Sequence, residues 1–280
     1  MTFRTLIVTA VAAEADSVAR GLPSGGPDSA AGPDSAAGPD SPSGPDSPSG
    51  PDSPSGPPGT GGPVEVPLPG GHVLRRHRCA GAGAVVDVLV GGVGPASAAV
   101  ATATALARAT GPEAYGLVVS AGIAGGFPPH APIGTVVVSD AIVCADLGAR
   151  TPDGYLAVEE LGFGRSAHLV DEDLVRRVSE ALGERRHVVA PVLTVSTVTG
   201  TAERAAELAA LHPRAAAEAM EGFGVAEAAA AHGVPVVEIR AVSNAVGPRD
   251  RAAWRVGEAL EALGSAFQPL SHSVLVEPTP

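Results

Sequence analysis

Carboxylate and amide side chains stand where an α/β protein would present chemistry, at or just past the ends of apolar runs. Glu14 follows "LIVTAVAA", Met220-Glu221 interrupts the Ala-rich "AEAMEGFG", and Asn244 closes "VVEIRAVSN". A carboxylate at the first place either opens a helix or takes a proton from an attacking water. At the second, the plain reading is a core methionine beside a solvated glutamate. The chemical reading is a carboxylate that accepts from the two hydroxyls of a ribose, with a thioether packed on the sugar face. Asn244 either caps its loop or offers an amide to a ligand at a strand end. Asp250, between Arg249 and Arg251, most simply opens a charged helix.

Several strands also end in glycine-rich or polar turns: Gly91-Gly92-Val93-Gly94, Ala121 to Gly126, and Val198 to Thr201. "GGVGPASA" lacks the third glycine of a dinucleotide fingerprint and the acid expected about twenty residues on. Close packing of the following helix explains these glycines better. Cys79 and Cys144 have apolar surroundings and no CxxC spacing, so they read as buried thiols in a reducing compartment. No metal site and no cofactor are expected.

The elements that must position these residues alternate. "TLIVTAV" is a strand and "EADSVARGL" starts a helix; "HVLRRHRCAGAGAVVDVLVGGVG" reads as two strands. "PASAAVATATALARAT" has the composition and leading Pro of a helix. "YGLVVSAGIAGG" reads as a strand running into a glycine loop, "IGTVVVSDAIV" as one strand, and "VVAPVLTVSTV" as another. "DEDLVRRVSEALG" and "ERAAELAALHP" are helices, "AEAMEGFGVAEAAAAHG" is mostly helical, and "RDRAAWRVGEALEALGSAFQPL" is the last helix. Near-continuous apolar strands separated by helices predict a mainly parallel sheet covered on both faces.

Residues 24–62 carry a Gly-Pro-Asp-Ser repeat with no large apolar residue to face a core. Such a segment cannot offset its own ordering cost, so a disordered insert in a single domain spanning 1–280 is expected. The formal net charge is −12 and no Lys or Arg run occurs. That argues against a nucleic-acid groove or an anionic-membrane patch. The apolar start soon meets Glu14 and Asp16 and reads as a first core strand, not a signal or membrane span. A cytoplasmic protein is expected.

In order, "LIVTAVAAEADSV", "VGGVGPASAAVAT", "VVSAGIAGGF", "IGTVVVSD" and "AEAMEGFGVAEAAAAHGVPVVEIRAVSN" with its continuation "AVGPRDRAAW" resemble the nucleoside phosphorylase and nucleosidase superfamily. Within it, the match is to the branch of methylthioadenosine/S-adenosylhomocysteine and futalosine nucleosidases, and it covers nearly everything outside the repeat. The resemblance implies a three-layer α/β/α fold around a mixed, mainly parallel twisted sheet of the phosphorylase/hydrolase kind. It also implies a small-molecule nucleoside substrate and a homo-oligomer, dimer or tetramer. By it, Glu14 positions and deprotonates the attacking water, Met220 and Glu221 bind the ribose, and Asn244 faces the purine N7 edge. Ala124 and Gly125 would supply loop contacts, and Thr201 with Phe127 or Phe223 would bound the base. Asp250 would relay a proton or position its loop.

Two departures from the adenine-releasing relatives matter. They carry an acid where Asn244 stands, and a base-stacking aromatic where Gly200 stands. A 6-oxopurine presents an acceptor where adenine presents a donor; an amide can give its N–H to O6 and accept from a protonated N7. Asn244 therefore implies hypoxanthine as leaving group. An amide has no proton of its own to give, so N7 must take one from solvent or another donor. Phosphorylases carry an Arg and a Ser in the loop where Ser120 and Ile123 stand here, which implies water and not phosphate as nucleophile. The expected reaction is hydrolysis of futalosine to hypoxanthine and dehypoxanthinyl futalosine, in menaquinone biosynthesis. The rival readings are a nucleosidase for methylthioadenosine, S-adenosylhomocysteine or aminodeoxyfutalosine, a purine nucleoside phosphorylase, and a catalytically inactive nucleoside-binding module, against which the intact Glu14 and Glu221 argue.

Overall fold

The computed structural model describes residues 2–23, 63–79 and 83–278. The repeat at 24–62, expected to be a solvated insert, lies outside the described residues. β1 (Arg4–Thr9) leads into α1 (Ala12–Gly21). β2 (Val64–Pro67), β3 (Val73–Cys79), β4 (Ala84–Val90) and α2 (Pro95–Arg108) follow. Next come β5 (Leu117–Gly126), β6 (Val136–Val138), β7 (Ala141–Cys144), the hairpin of β8 (Gly148–Thr151) and β9 (Gly154–Ala157), and β10 (Ala167–Leu169). α3 (Glu172–Leu182), β11 (His187–Val189), β12 (Val192–Thr194), α4 (Ala202–Leu211) and β13 (Ala217–Ala219) come after them. α5 (Gly222–Ala231), β14 (Val236–Ala245) and α6 (Val256–Leu270) complete the order.

All strands but the β8–β9 hairpin join one 12-stranded sheet, described by the order β10-β7-β12-β13-β5-β1-β4-β3-β2 with β14, β6 and β11 branching from β5. The sheet is mixed: β1 pairs in parallel with β4 and β5, whereas β3, β2 and β10 run antiparallel to their neighbours. Successive strand residues face opposite sides, and β1 shows this directly. Ile7 packs with Ala15 and Val18 of α1 and Phe267 of α6 on one face. Leu6 and Val8 pack with Ala98 and Ala101 of α2 and Val225 of α5 on the other. These faces make the α/β/α layers.

Several local expectations are corrected. "AGIAGG" does not loop: it stays in β5, because neighbouring groups occupy the space its missing side chains would need. A Cβ at Gly126 would lie 2.1 Å from the Ala131 carbonyl oxygen. Ala217–Ala219 form a strand between β12 and β5, where ladder pairing overrides the helix propensity of alanine. "IGTVVVSDAIV" splits into β6 and β7, which pair with different partners, β14 and β12. "VVAPVLTVSTV" likewise splits into β11 and β12. The last helix starts at Val256, since Asp250 instead caps a short 3-10 turn at Arg251–Ala253. Among the described residues no helix is long and apolar enough to cross a membrane. Cys79 and Cys144 are free and buried, and burial pushes the Cys144 thiol up to about 11.

Candidate active site

The site forms where β5 changes partner. β1 pairs with it over Leu117 to Ser120, and β13 takes the same edge at Gly125 and Gly126. Between them the Ile123 amide has no strand partner on that side. The start of α1 fills the gap. Glu14 accepts from the Ile123 amide at 2.9 Å through Oε1, and from the Ala10 and Val11 amides at 2.9 and 3.3 Å through Oε2. Glu14 is thus both the third residue of its helix, closing a capping arrangement, and a nearly buried carboxylate aimed at β5. Gly122 makes the approach possible: a Cβ there would lie 2.5 Å from both Glu14 Oε1 and Arg240 Nη1.

Arg240 is a residue that sequence reasoning missed. It is 1% exposed, on the strand that ends in Asn244. Its Nε donates to Glu238 Oε1 at 2.8 Å, and its Nη2 donates to Glu221 Oε2 and to the Ser120 hydroxyl, each at 3.2 Å. Burial alone would lower its pKa, but the Glu238, Glu221 and Glu14 carboxylates outweigh that and hold it above its ordinary value. Burial pushes the Glu238 carboxyl up, against the pull of Arg240. The available signal was the lone Arg at alternate spacing from Glu238 in an otherwise apolar strand, a position that is costly unless paired.

Glu221 stands two residues past the end of β13, at the head of α5. Its Oε1 accepts from the Gly94 amide at 3.1 Å and its Oε2 from its neighbour's, Met220, at 3.3 Å. The "GGVG" glycines therefore serve both packing and site. A Cβ at Gly224 would strike the Pro95 carbonyl oxygen at 2.0 Å, so α5 presses against the start of α2, and this sets Glu221 beside Gly94. Glu14 and Glu221 converge on Arg240 from opposite ends of the chain.

Asn244 lies one step further along β14, after a register shift that lets it pair with Gly125. Its Oδ1 accepts from the Ser243 hydroxyl at 2.8 Å and its Nδ2 donates to the Ala245 carbonyl at 3.0 Å. It lines a small cavity with Gly125, Thr199, Glu218, Arg249 and Trp254. The stem of Arg249 passes 3.5 Å from where a Gly200 Cβ would stand, and its guanidinium lies 5.5 Å from the centre of the Trp254 ring. Ala124 is buried beside Asn244's strand and accepts from the Ser243 hydroxyl.

Other sequence-derived positions fall elsewhere. The Thr201 hydroxyl caps α4 by accepting from the Arg204 amide, and Asp250 caps its 3-10 turn by accepting from Ala252. Phe127 is buried among Leu193, Val195 and Val246, beneath the cavity wall. Phe223 packs in the main core, 5.3 Å from the His168 ring. Among the described residues no three His, Cys, Asp or Glu side chains are grouped to hold a metal.

The fold and this carboxylate-lined strand end define a class, and comparison with known proteins agrees. The family model described as the phosphorylase superfamily matches residues 55–275, and the chain belongs to that superfamily. A futalosine hydrolase of Streptomyces coelicolor is 62% identical over 186 residues, 66% of this chain and 78% of that protein. One of Acidothermus cellulolyticus is 41% identical over 275 residues, 96% of this chain and 91% of that protein. Within the superfamily its family is the futalosine hydrolases. Among solved structures, the native futalosine hydrolase of Helicobacter pylori strain 26695 matches with TM-score 0.72 at 15% identity, covering 97% of this chain and 98% of that one. The methylthioadenosine/S-adenosylhomocysteine nucleosidase of Colwellia psychrerythraea 34H, in complex with adenine, gives 0.68 at 19% identity over 98% and 97%. These two likenesses show the fold.

Proposed function

We infer that the protein hydrolyses the N-glycosidic bond of futalosine, releasing hypoxanthine and leaving dehypoxanthinyl futalosine, as a step of menaquinone biosynthesis. One observation carries the choice of water over phosphate. The Ile123 amide inside β5 and the Gly94 amide at the start of α2, which could cradle an oxyanion, already donate to the Glu14 and Glu221 carboxylates. Three carboxyl groups surround the single guanidinium of Arg240. A phosphate dianion placed there would meet like charge, whereas a water beside Glu14 meets a base.

In this reading the C1′–N9 bond lengthens and the ribosyl group gains positive charge. Glu14 takes a proton from the water that attacks C1′, while Glu221 accepts from the ribose hydroxyls with Met220 against the sugar. Arg240 holds Glu221 in place through its Nη2 hydrogen bond. Asn244 reads the O6 and N7 edge of the base, which favours hypoxanthine over adenine. The protein works as a homo-oligomer, for which the exposed Phe163 and Leu169 side chains, 83% and 84% accessible, offer apolar contact surface.

Incubation of the purified protein with futalosine, inosine and methylthioadenosine, followed by chromatography, tests the substrate. Fastest release of hypoxanthine from futalosine is expected; faster release of adenine from methylthioadenosine would refute the reading.

A further inference from the structure

Glu218 is a buried carboxyl that the steps above leave unused, and it stands in the wall of the Asn244 cavity. Strand register puts it there. Glu218 of β13 pairs with Gly125 of β5, and Gly125 pairs with Asn244 of β14, so the three occupy one rung of the sheet. Neighbouring strands lie about 4.8 Å apart, which sets Glu218 and Asn244 roughly 10 Å from each other across a residue with no side chain. Among the residues that line this cavity, Glu218 is the one carboxyl group.

Its surroundings suit both protonation states. The Thr199 amide donates to Oε1 at 2.8 Å, and the Thr199 hydroxyl is paired with Oε2. That hydroxyl can accept from a protonated Oε2 and can donate to it once the proton has gone. The charged groups nearby are engaged elsewhere. Arg204 of α4 pairs with Glu207 at 2.7 Å, Asp146 after β7 accepts from the Ser196 amide at 2.9 Å, and the Arg249 guanidinium lies over Trp254. Burial, with a smaller push from Asp146, raises the Glu218 pKa; its Thr199 hydrogen bonds and Arg204 oppose this and do not cancel it.

We propose that Glu218 is the general acid of the reaction, giving its proton to a ring nitrogen of the departing purine. The proposal rests on the hydrolytic reading above, in which Asn244 has no proton to transfer. As the C1′–N9 bond breaks, its electron pair stays with the purine. The Glu218 Oε2–H proton passes to a purine ring nitrogen, and hypoxanthine leaves neutral. Glu218 remains as a carboxylate held by both Thr199 donors. Water adds to C1′ and its proton goes to Glu14; solvent then returns a proton to Glu218 and removes one from Glu14, which restores both groups.

The test compares futalosine with p-nitrophenyl riboside, whose leaving group departs without protonation. In Glu218→Gln, kcat for futalosine should fall about 100-fold or more, while cleavage of p-nitrophenyl riboside changes by less than about threefold. The acid must be protonated, so in the unaltered protein kcat for futalosine should fall about tenfold per pH unit above a pKa higher than the ordinary glutamate value of about 4.3. That limb should be absent with p-nitrophenyl riboside. Equal losses on both substrates in Glu218→Gln, or full retention of futalosine cleavage, would overturn the proposal. Should the variant not fold, the unaltered protein decides: matching alkaline limbs on the two substrates overturn it. An unaltered protein that cleaves p-nitrophenyl riboside but not futalosine refutes the substrate reading alone, and the same comparison is then made with methylthioadenosine.

Discussion

At the scale of single residues, the site divides into side chains that local sequence discloses and side chains that only tertiary pairing reveals. Glu14, Met220-Glu221 and Asn244 each stand at the end of an apolar run, so their positions could be read from the chain. Arg240 and Glu218 could not. Arg240 is meaningful only because Glu14 and Glu221, far apart in sequence, meet it. Glu218 looks like a solvated residue of an Ala-rich helix until its strand register sets it beside Gly125. The substrate preference is argued from Asn244. Replacing it by Asp puts a carboxylate against O6, where a mispaired buried polar group costs about 1–3 kcal/mol. Asn244→Asp should therefore lower kcat/KM for futalosine about 10- to 100-fold more than for aminodeoxyfutalosine. Paired kinetic measurements check this, and equal losses would remove Asn244 from the recognition argument.

At the scale of elements, the change of partner along β5 is what creates the site. It frees the Ile123 amide for Glu14 and leaves Gly122 facing both the Glu14 carboxylate and the Arg240 guanidinium. The alternation of apolar strands and helices made the layers legible, since burial on both faces leaves a direct trace in composition. The fork was not legible, because it arises from which strand pairs with which. Glycines in "AGIAGG" suggest a loop locally, but here they are strand residues against which other groups close. Gly122→Ala should press a methyl into the Glu14 carboxylate and the Arg240 guanidinium. The expected result is a loss of about 1–3 kcal/mol in stability from overpacking. Activity should fall about 100-fold or more as Glu14 is displaced. Thermal denaturation and steady-state kinetics on the purified variant read both, and an unchanged kcat would contradict the placement of Glu14.

At the scale of the whole molecule, the acidic balance of −12 fits a small-molecule enzyme better than a nucleic-acid partner. The edge strand β10 carries Leu169, 84% exposed, close in sequence to the similarly exposed Phe163. An apolar surface of this kind is commonly covered by a second copy. Light scattering coupled to size exclusion should give a dimer or tetramer, and Leu169→Glu should shift it toward monomer; a monomeric unaltered protein would refute the oligomer. Incubation with futalosine in phosphate-free buffer and again with phosphate tests the central claim most directly. Hypoxanthine and dehypoxanthinyl futalosine should form in equal amounts at the same rate in both. Release of hypoxanthine only with phosphate, together with a sugar 1-phosphate, or no release at all, would contradict the account.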